Sequence, residues 1–165
     1  AKNAFIKAAE IAKNAGRKDA LSLSDSFCVS RHRESFIKLV DDHIDILFAN
    51  EDEITNLYET SSLSTALEKL KKKCDLAAIT IGEKGSILIS NGKEIKIDPF
   101  ILGKAVDTTG AGDIYAGAFL KGYADGLKPE LSAKIGSICA GQIVTQLGSR
   151  SNTDLLNLIN SHLEA

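Results

Sequence analysis

The sequence predicts an α/β fold in which a mainly parallel sheet is flanked by helices, giving three layers (αβα). Three segments of strand length alternate with segments of helical periodicity. Apolar and polar residues alternate in residues 19–24, whereas residues 44–49 and 76–81 are mostly apolar. Strands that alternate with helices are joined by right-handed crossovers and therefore run parallel. Two further short strands on either side of Asn91-Gly92 predict a hairpin, which adds an antiparallel edge to the sheet.

The composition is that of a globular chain with no bias toward a polyanion or a lipid surface. The 165 residues are 44% hydrophobic and 25% charged, and the net charge is −2. Acidic and basic residues are interspersed, so neither nucleic acid nor a membrane is expected as a partner. The three cysteines are widely spaced and form no C-x-x-C pair. We expect Cys28, Cys74 and Cys139 to be reduced packing residues of a cytoplasmic protein.

Helices are predicted between the strands of the first half of the chain. Apolar residues at helical spacing indicate helices over residues 2–15, 31–43 and 63–74, and Gly16 ends the first of them. Asp25 directly follows the first strand. The carboxyl ends of parallel strands are where ligands bind. An Asp is also a common cap for a following turn, and we favour this capping role.

The second half of the chain predicts three more helices. One follows Asp113, the next begins at Pro129, and the last has Thr153 as its N-cap and is expected to bury its leucines. The Pro129 helix has an apolar stripe that continues to Leu147. It also has a face of small residues: Ala133, Gly136, Ser137, Ala140 and Gly141. This small face suits close helix packing, and it would also form a flat wall beside an adenine ring.

Residues 106–113 hold the strongest chemical signal in the chain. They read Val-Asp-Thr-Thr-Gly-Ala-Gly-Asp and lead directly into an apolar helix. Gly110, Ala111 and Gly112 have almost no side chain, so an anion can approach their N–H groups at the positive end of the helix. A carboxylate at Asp113 would repel a phosphate. Its position makes sense if it accepts a proton from a nucleophile that attacks that phosphate.

A second candidate site follows the second strand, where three acids come directly after Asn50. Asn50 and Glu53 are three residues apart and therefore share one face of a helix. A Mg²⁺ ion that keeps several of its waters needs only one or two carboxylates from the protein. This pair of residues could therefore hold a hydrated magnesium ion.

Both segments also have a purely structural explanation. Asp107 or Thr109 could be the N-cap of the helix that follows, with Asp113 in its first turn. The acids after Asn50 could stabilise the first turn of their own helix in the same way. The sequence contains neither a Walker A motif nor G-x-G-x-x-G, which argues against a P-loop ATPase and a dinucleotide enzyme.

Residues 107–113, Asp-Thr-Thr-Gly-Ala-Gly-Asp, resemble the C-terminal signature of the ribokinase-like (PfkB) family of sugar and nucleoside kinases. Residues 50–53, Asn-x-x-Glu, are similar to the family's magnesium and phosphate motif. Residues 80–85, Thr-x-Gly-x-x-Gly, are similar to a segment that lies against the nucleotide. The three motifs occur in the family's order. The resemblance implies a ribokinase-like fold and an ATP-dependent kinase that phosphorylates an alcohol of a nucleoside or sugar.

The resemblance also implies a role for each motif. Asp113 would take the proton from the substrate hydroxyl, and the amides of residues 110–112 would hold the charge that develops on the transferred group. Glu53 would hold Mg²⁺ through water. Asp107 and Thr109 would contribute to a site for a monovalent cation, K⁺. The residues implied in nucleotide binding are Asn50, Thr80, Gly82, Gly85, Gly112 and Ser137.

Residues 19–60 and 106–122 look closest to the adenosine-kinase-like members of this family. A ribose- or fructose-type sugar kinase and a non-catalytic nucleotide-binding fragment are the alternatives. The chain contains no methionine, and ribokinase-like enzymes are much longer. We expect residues 1–165 to be the C-terminal, nucleotide-binding half of a kinase domain, without the N-terminal half that binds substrate and supplies a lid. A removed initiator methionine is the alternative. Any homodimer would form through that lid.

Overall fold

Five strands lie side by side in one mixed sheet, in the order in which they occur along the chain. In this computed structural model, which describes residues 2–163, the strands are β1 (Ala20–Ser22), β2 (Ile46–Asn50), β3 (Leu76–Thr80), β4 (Ser86–Ser90) and β5 (Lys93–Ile97). β1 and β2 are parallel, and so are β2 and β3. Only Asn91-Gly92 joins β4 to β5, so these two run antiparallel. The predicted parallel sheet with a hairpin edge is confirmed.

The helices within residues 2–163 are α1 (Lys2–Asn14), α2 (Ser26–Arg31), α3 (Arg33–Asp42), α4 (Glu51–Leu57), α5 (Leu63–Leu70), α6 (Ala111–Ala124), α7 (Pro129–Ile143) and α8 (Leu155–Leu163). The helix expected over residues 31–43 is found as α3, whereas the short helix α2 was not predicted; His32 leaves the helical region (φ −125°, ψ 26°) between them. Asp25 caps α2 by accepting the N–H of Cys28 at 2.8 Å, which confirms its capping role. Within residues 2–163, no helix is long and apolar enough to span a membrane.

The chain divides into two compact units, residues 1–80 with 89–94 and residues 81–88 with 95–165. In the first unit, β2 and β3 are buried along almost their whole length. Leu47, Ala77 and Ile79 each have 0% exposure. Continuous apolar strands of this type are typical of a parallel sheet that is covered on both faces.

The second unit contains α6 and α7, which pack closely because α7 presents small residues. A Cβ at Gly136 would lie only 2.9 Å from the carbonyl oxygen of Tyr115 on α6. On α6, a Cβ at Gly122 would lie 3.2 Å from the Oγ of Ser132. The helix-packing interpretation of the small face is therefore confirmed.

Three expectations about the second half are wrong in whole or in part. Leu147 is 78% exposed, because α7 ends at Ile143 and the apolar stripe does not continue beyond it. Asp154, rather than Thr153, caps α8, since its Oδ1 accepts the N–H of Leu156 at 3.0 Å. No described residue of α8 is fully buried: Leu156 and Leu163 are exposed, contrary to expectation, whereas Leu155 and Leu158 are half-buried.

The cysteines follow the expectation in part. Cys74 and Cys139 are buried free thiols, as predicted for packing residues. Cys28 is also a free thiol but is exposed on α2, so its predicted packing role is wrong.

Candidate active site

The first turn of α6 has backbone donors without an acceptor. Gly110 is its N-cap, in the left-handed conformation (φ 79°, ψ 3°), and supplies no side-chain cap. The N–H of Ala111 donates to the carbonyl of Thr108 at 3.1 Å. Within residues 2–163, the N–H groups of Gly112 and Asp113 donate to no acceptor. Unpaired amides at the positive end of a 14-residue helix are a favourable place for an anion.

The side chain of Asp113 does not cap the helix. Asp113 is exposed, and its carboxylate makes no hydrogen bond or ion pair with another described residue. An acid at this position of a capping box would accept the N–H of the N-cap residue, Gly110, and this bond is absent here. The side chain is therefore available to a ligand.

Gly110 and Gly112 are glycines for different reasons. A Cβ at Gly110 would lie 2.6 Å from the Cβ of Ser149, and its φ is positive, so the fold itself excludes a side chain there. A Cβ at Gly112 would meet no atom within 4 Å. The space beside the Gly112 amide is therefore open, although nothing in the fold requires a glycine at this position.

Asp107 ties the signature to the loop that follows α7. Its Oδ1 accepts the N–H of Thr109 and its Oδ2 accepts the N–H of Gly148, both at 2.9 Å. The bond from Gly148 and those from Thr109 hold the pKa of Asp107 below its usual range, so this carboxylate stays ionised. Neither Asp107 nor Thr109 is the N-cap of α6, so the capping part of the structural explanation is wrong, while its placement of Asp113 in the first turn is confirmed.

Gly82 and Gly85 frame one turn of 3-10 helix, Gly82–Lys84, which connects the neighbouring strands β3 and β4. Both glycines have positive φ, 60° and 91°. A Cβ at Gly85 would lie 2.2 Å from the carbonyl oxygen of Ile97, whereas one at Gly82 would meet nothing within 4 Å. Gly85 is thus required for packing, and the backbone at Gly82 is open to a ligand.

Gly85→Ala is expected to lower the free energy of unfolding by about 3 kcal/mol or more, since it adds a backbone clash to a strained conformation. Gly82→Ala has only the positive φ to overcome and is expected to lower it by about 1 kcal/mol. Urea unfolding of both variants checks this. Equal stability of the two would contradict the close contact between Gly85 and Ile97.

The side chain of Ser137 has a partner inside the protein. It is 7% exposed, and its Oγ donates to the carbonyl of Asp98 at 3.0 Å. A hydroxyl that is engaged in this way fixes the chain after β5. Its contact with a nucleotide base stays a prediction.

In the first unit, Asn50 and Glu53 form a capping box at the start of α4. The Oδ1 of Asn50 accepts the N–H of Glu53 at 2.8 Å. The two carboxylate oxygens of Glu53 accept the backbone N–H and the Nδ2 of Asn50, each at 2.9 Å. Thr80 pairs with Asn50 in the register of the parallel strands β2 and β3. The structure thus brings Asn50, Glu53 and Thr80 together at the carboxyl ends of two neighbouring strands.

Glu53 is an unusual carboxylate because it is only 6% exposed. Burial raises the pKa of Glu53 above its ordinary 4.5; the hydrogen bond from Asn50 opposes this shift, and the charges of Asp25 and Asp52 add to it. The charges of two neighbouring acids therefore act on Glu53. A cation would relieve this repulsion.

Sequence reasoning missed a buried polar pair in the second unit. The hydroxyls of Ser86 and Tyr115 lie 2.8 Å apart. Burial raises the pKa of Tyr115 to about 12, so its hydroxyl keeps its proton. The available signal was a serine at the start of an otherwise apolar strand and a tyrosine in an apolar helix.

Comparison with known proteins relates this geometry to a family. Residues 1–155 match the pfkB family of carbohydrate kinases. The chain belongs to this family. The match confirms the family that the signature predicted, and it covers nearly the whole chain.

Relatives of this pfkB family member include nucleoside and sugar kinases. The structure of adenosine kinase from Sinorhizobium meliloti is 41% identical, with a TM-score of 0.92, over 99% of this chain and 50% of that one. Arabidopsis thaliana ribokinase, complexed with ribose and ATP, is 26% identical, with a TM-score of 0.79, over 96% and 53%. A nucleoside kinase from Methanocaldococcus jannaschii is 29% identical over 132 residues, 80% of this chain and 43% of that protein. The chain spans about half the length of these relatives.

Proposed function

We propose that the chain is the nucleotide-binding half of an ATP-dependent kinase that phosphorylates a hydroxyl of a nucleoside or sugar. The observation that carries this proposal is the start of α6, where unpaired amides, an open glycine and an unengaged carboxylate occur together. Family membership supports phosphoryl transfer. Adenosine is the favoured acceptor, because the relative that is 41% identical is an adenosine kinase.

The reaction needs a base and an anion site, and α6 offers both. The carboxylate of Asp113 accepts the proton as the substrate oxygen forms its bond to the γ-phosphorus and the bond from that phosphorus to ADP breaks. The unpaired N–H groups of Gly112 and Asp113, together with Gly110 and Ala111, stabilise the charge on the transferred group. One preorganised donor of this type contributes about 3 kcal/mol to the transition state.

Residues proposed for nucleotide binding occur in each compact unit, and each set lies within its own unit. In the first unit, Asn50 and Thr80 lie at neighbouring strand ends. In the second unit, the backbone of Gly82 is open, while Gly85 shapes the turn. Ser137 would border the base.

Metal ions complete the proposed chemistry. Each carboxylate oxygen of Glu53 accepts one hydrogen bond and keeps a lone pair for a water of hydration, which fits a hydrated Mg²⁺. Magnesium would neutralise the charge on the phosphates. Asp107, ionised and placed beside Thr109, has the chemistry for K⁺.

Glu53→Gln is expected to raise the magnesium concentration at half-maximal rate, because the neutral amide attracts the hydrated cation less. The glutamine can still accept the N–H of Asn50, so this half of the capping box is kept. The check is a magnesium titration of the phosphotransfer rate. Glu68→Gln, which neutralises an exposed acid on α5, is the control. An unchanged titration for Glu53→Gln would remove Glu53 from the metal site.

The same variant is expected to alter how stability depends on pH. The pKa of Glu53 is raised on folding, so its contribution to stability is largest below 4.5 and is lost as the pH rises through the folded-state pKa. In Glu53→Gln the side chain does not titrate, so this loss of stability with rising pH is absent. Its free energy of unfolding, relative to wild type, should therefore increase from acid to neutral pH in the absence of ligand, as thermal unfolding over a pH series would measure. A constant difference would contradict the raised pKa.

The proposed function is tested by offering adenosine, ribose and fructose with Mg·ATP to the gene product. Phosphorylated adenosine is the expected product. Turnover of a sugar alone would keep the mechanism and change the acceptor. ATP binding without turnover of any acceptor would refute the kinase proposal and favour a non-catalytic nucleotide-binding fragment.

A further inference from the structure

Ser86 and Tyr115 join two elements that carry parts of the proposed site. Ser86 is 1% exposed and directly follows Gly85 at the start of β4. Tyr115 is 3% exposed and lies on α6, two residues after Asp113. The 2.8 Å hydrogen bond between their hydroxyls therefore links the turn at residues 82–85 to the helix that presents Asp113.

Tyr115 and Asp113 lie on opposite sides of α6. Successive residues of an α-helix are about 100° apart, so a separation of two residues turns the side chain through about 200°. The burial of Tyr115 and the exposure of Asp113 agree with this geometry. A bond that fixes Tyr115 thus fixes the rotation of α6 about its axis, and with it the direction in which Asp113 is presented.

The tyrosine also belongs to a closed ring of contacts within the second unit. A Cβ at Gly136 would lie 3.2 Å from ring atoms of Tyr115, so α7 packs directly on this side chain. The next residue, Ser137, donates to the carbonyl of Asp98 at 3.0 Å. A Cβ at Gly85 would lie 2.9 Å from the carbonyl carbon of Asp98, so Asp98 in turn packs against the turn at residues 82–85 and closes this set of contacts.

The hydroxyl pair serves geometry more than stability. Replacing two buried hydroxyls that bond to each other by apolar groups of the same shape changes the net stability little. The reason is that the hydroxyls gave up their hydrogen bonds to water when the chain folded. A hydrogen bond is directional, however, whereas a phenylalanine at Tyr115 would fill the space without selecting a partner.

We propose that Ser86 and Tyr115 are positioning residues, which hold Asp113 in the correct orientation relative to the nucleotide turn. This inference rests on the proposed kinase function. Removal of the bond is expected to slow the chemical step and to leave ATP binding nearly unchanged, because misplacement of a catalytic group affects the transition state more than the ground state.

A double-mutant cycle tests this positioning role in the gene product. Tyr115→Phe and Ser86→Ala each leave one buried hydroxyl unpaired, so each is expected to lower the Tm. The double variant removes both hydroxyls, and its Tm should return toward that of wild type. Its kcat is nevertheless expected to be lower by about tenfold or more, with an unchanged KM for Mg·ATP. Recovery of wild-type kcat together with Tm would overturn the inference.

Two control variants remove the same atoms at other places in the second unit. Tyr123→Phe lies on α6 itself, and Ser132→Ala removes a buried hydroxyl on α7 that bonds to the carbonyl of Lys128, the N-cap of that helix. Both should keep full kcat. If the double variant does not fold, Tyr115→Phe decides the question at a temperature where it is fully folded: a kcat below that of Tyr123→Phe supports the inference, and an equal kcat overturns it.

The outcomes also separate this inference from the function on which it rests. A wild-type protein that phosphorylates none of adenosine, ribose and fructose refutes the kinase proposal. An active wild type with an equally active double variant refutes only the positioning role of Ser86 and Tyr115.

Discussion

Asp113→Asn in the gene product is expected to lower kcat about a thousandfold and to leave the affinity for Mg·ATP nearly unchanged. Asparagine has the size of aspartate but does not accept the proton of the substrate hydroxyl. The carboxylate of Asp113 makes no hydrogen bond or ion pair within residues 2–163, so the fold should lose little. Steady-state kinetics and an equilibrium titration with nucleotide measure the two effects separately.

Glu130→Gln is the matched control for this substitution. Glu130 is an exposed acid in the first turn of α7, and its neutralisation removes a similar helix-dipole interaction, about 0.3–1 kcal/mol, away from the signature. Full activity is expected for this variant. If Asp113→Asn weakened ATP binding in proportion to its loss of kcat, Asp113 would be a binding residue and not the base.

Gly112→Ala is expected to lower kcat/KM about a hundredfold and, at the same time, to stabilise the folded chain by about 0.5–1 kcal/mol. The position is helical and exposed, and an added Cβ meets no atom within 4 Å, so alanine is the better residue for the fold. The methyl group would, however, occupy the open space through which an anion approaches the amide. A gain in stability with a loss of rate is not expected of a residue that serves structure alone.

Gly117→Ala provides the comparison on the same helix. Gly117 is also exposed, and its Cβ would also meet nothing within 4 Å. Denaturant unfolding should show a similar stabilisation for both variants, while only Gly112→Ala loses kcat/KM. Full activity of both would indicate that the phosphate is not held at the Gly112 amide.

The fold was predictable where one short-range pattern dominates. β2 and β3 are continuous apolar runs that have the length of a strand, and the structure finds them within two residues of their predicted bounds. β1 is shorter than predicted, Ala20–Ser22, because Ser24 has a positive φ of 63° that ends the extended chain. The short helix α2 was not predicted, since its apolar residues Phe27, Cys28 and Val29 are consecutive and show no helical spacing.

The candidate site was predictable in its motifs but not in the role of each residue. Gly110 and Gly112 are equivalent in the sequence. They differ in the structure because Ser149, on a loop that is distant along the chain, packs against only one of them. Asn50 and Glu53 present a related difficulty, since a capping box and the magnesium motif share the same spacing. The structure forms the capping box, and the magnesium role stays a prediction.

The exposed Cys28 gives this chain a chemical handle that requires no engineering. Burial raises the pKa of Cys139 to about 11 and also raises that of Cys74, so a thiol-reactive dye at neutral pH would couple to Cys28 among the chain's three cysteines. The backbone of Cys28 is bonded to Asp25, whose charge acts on Glu53. An environment-sensitive fluorophore at this position would therefore give an optical signal when a cation reaches the acids of the first unit, independently of turnover.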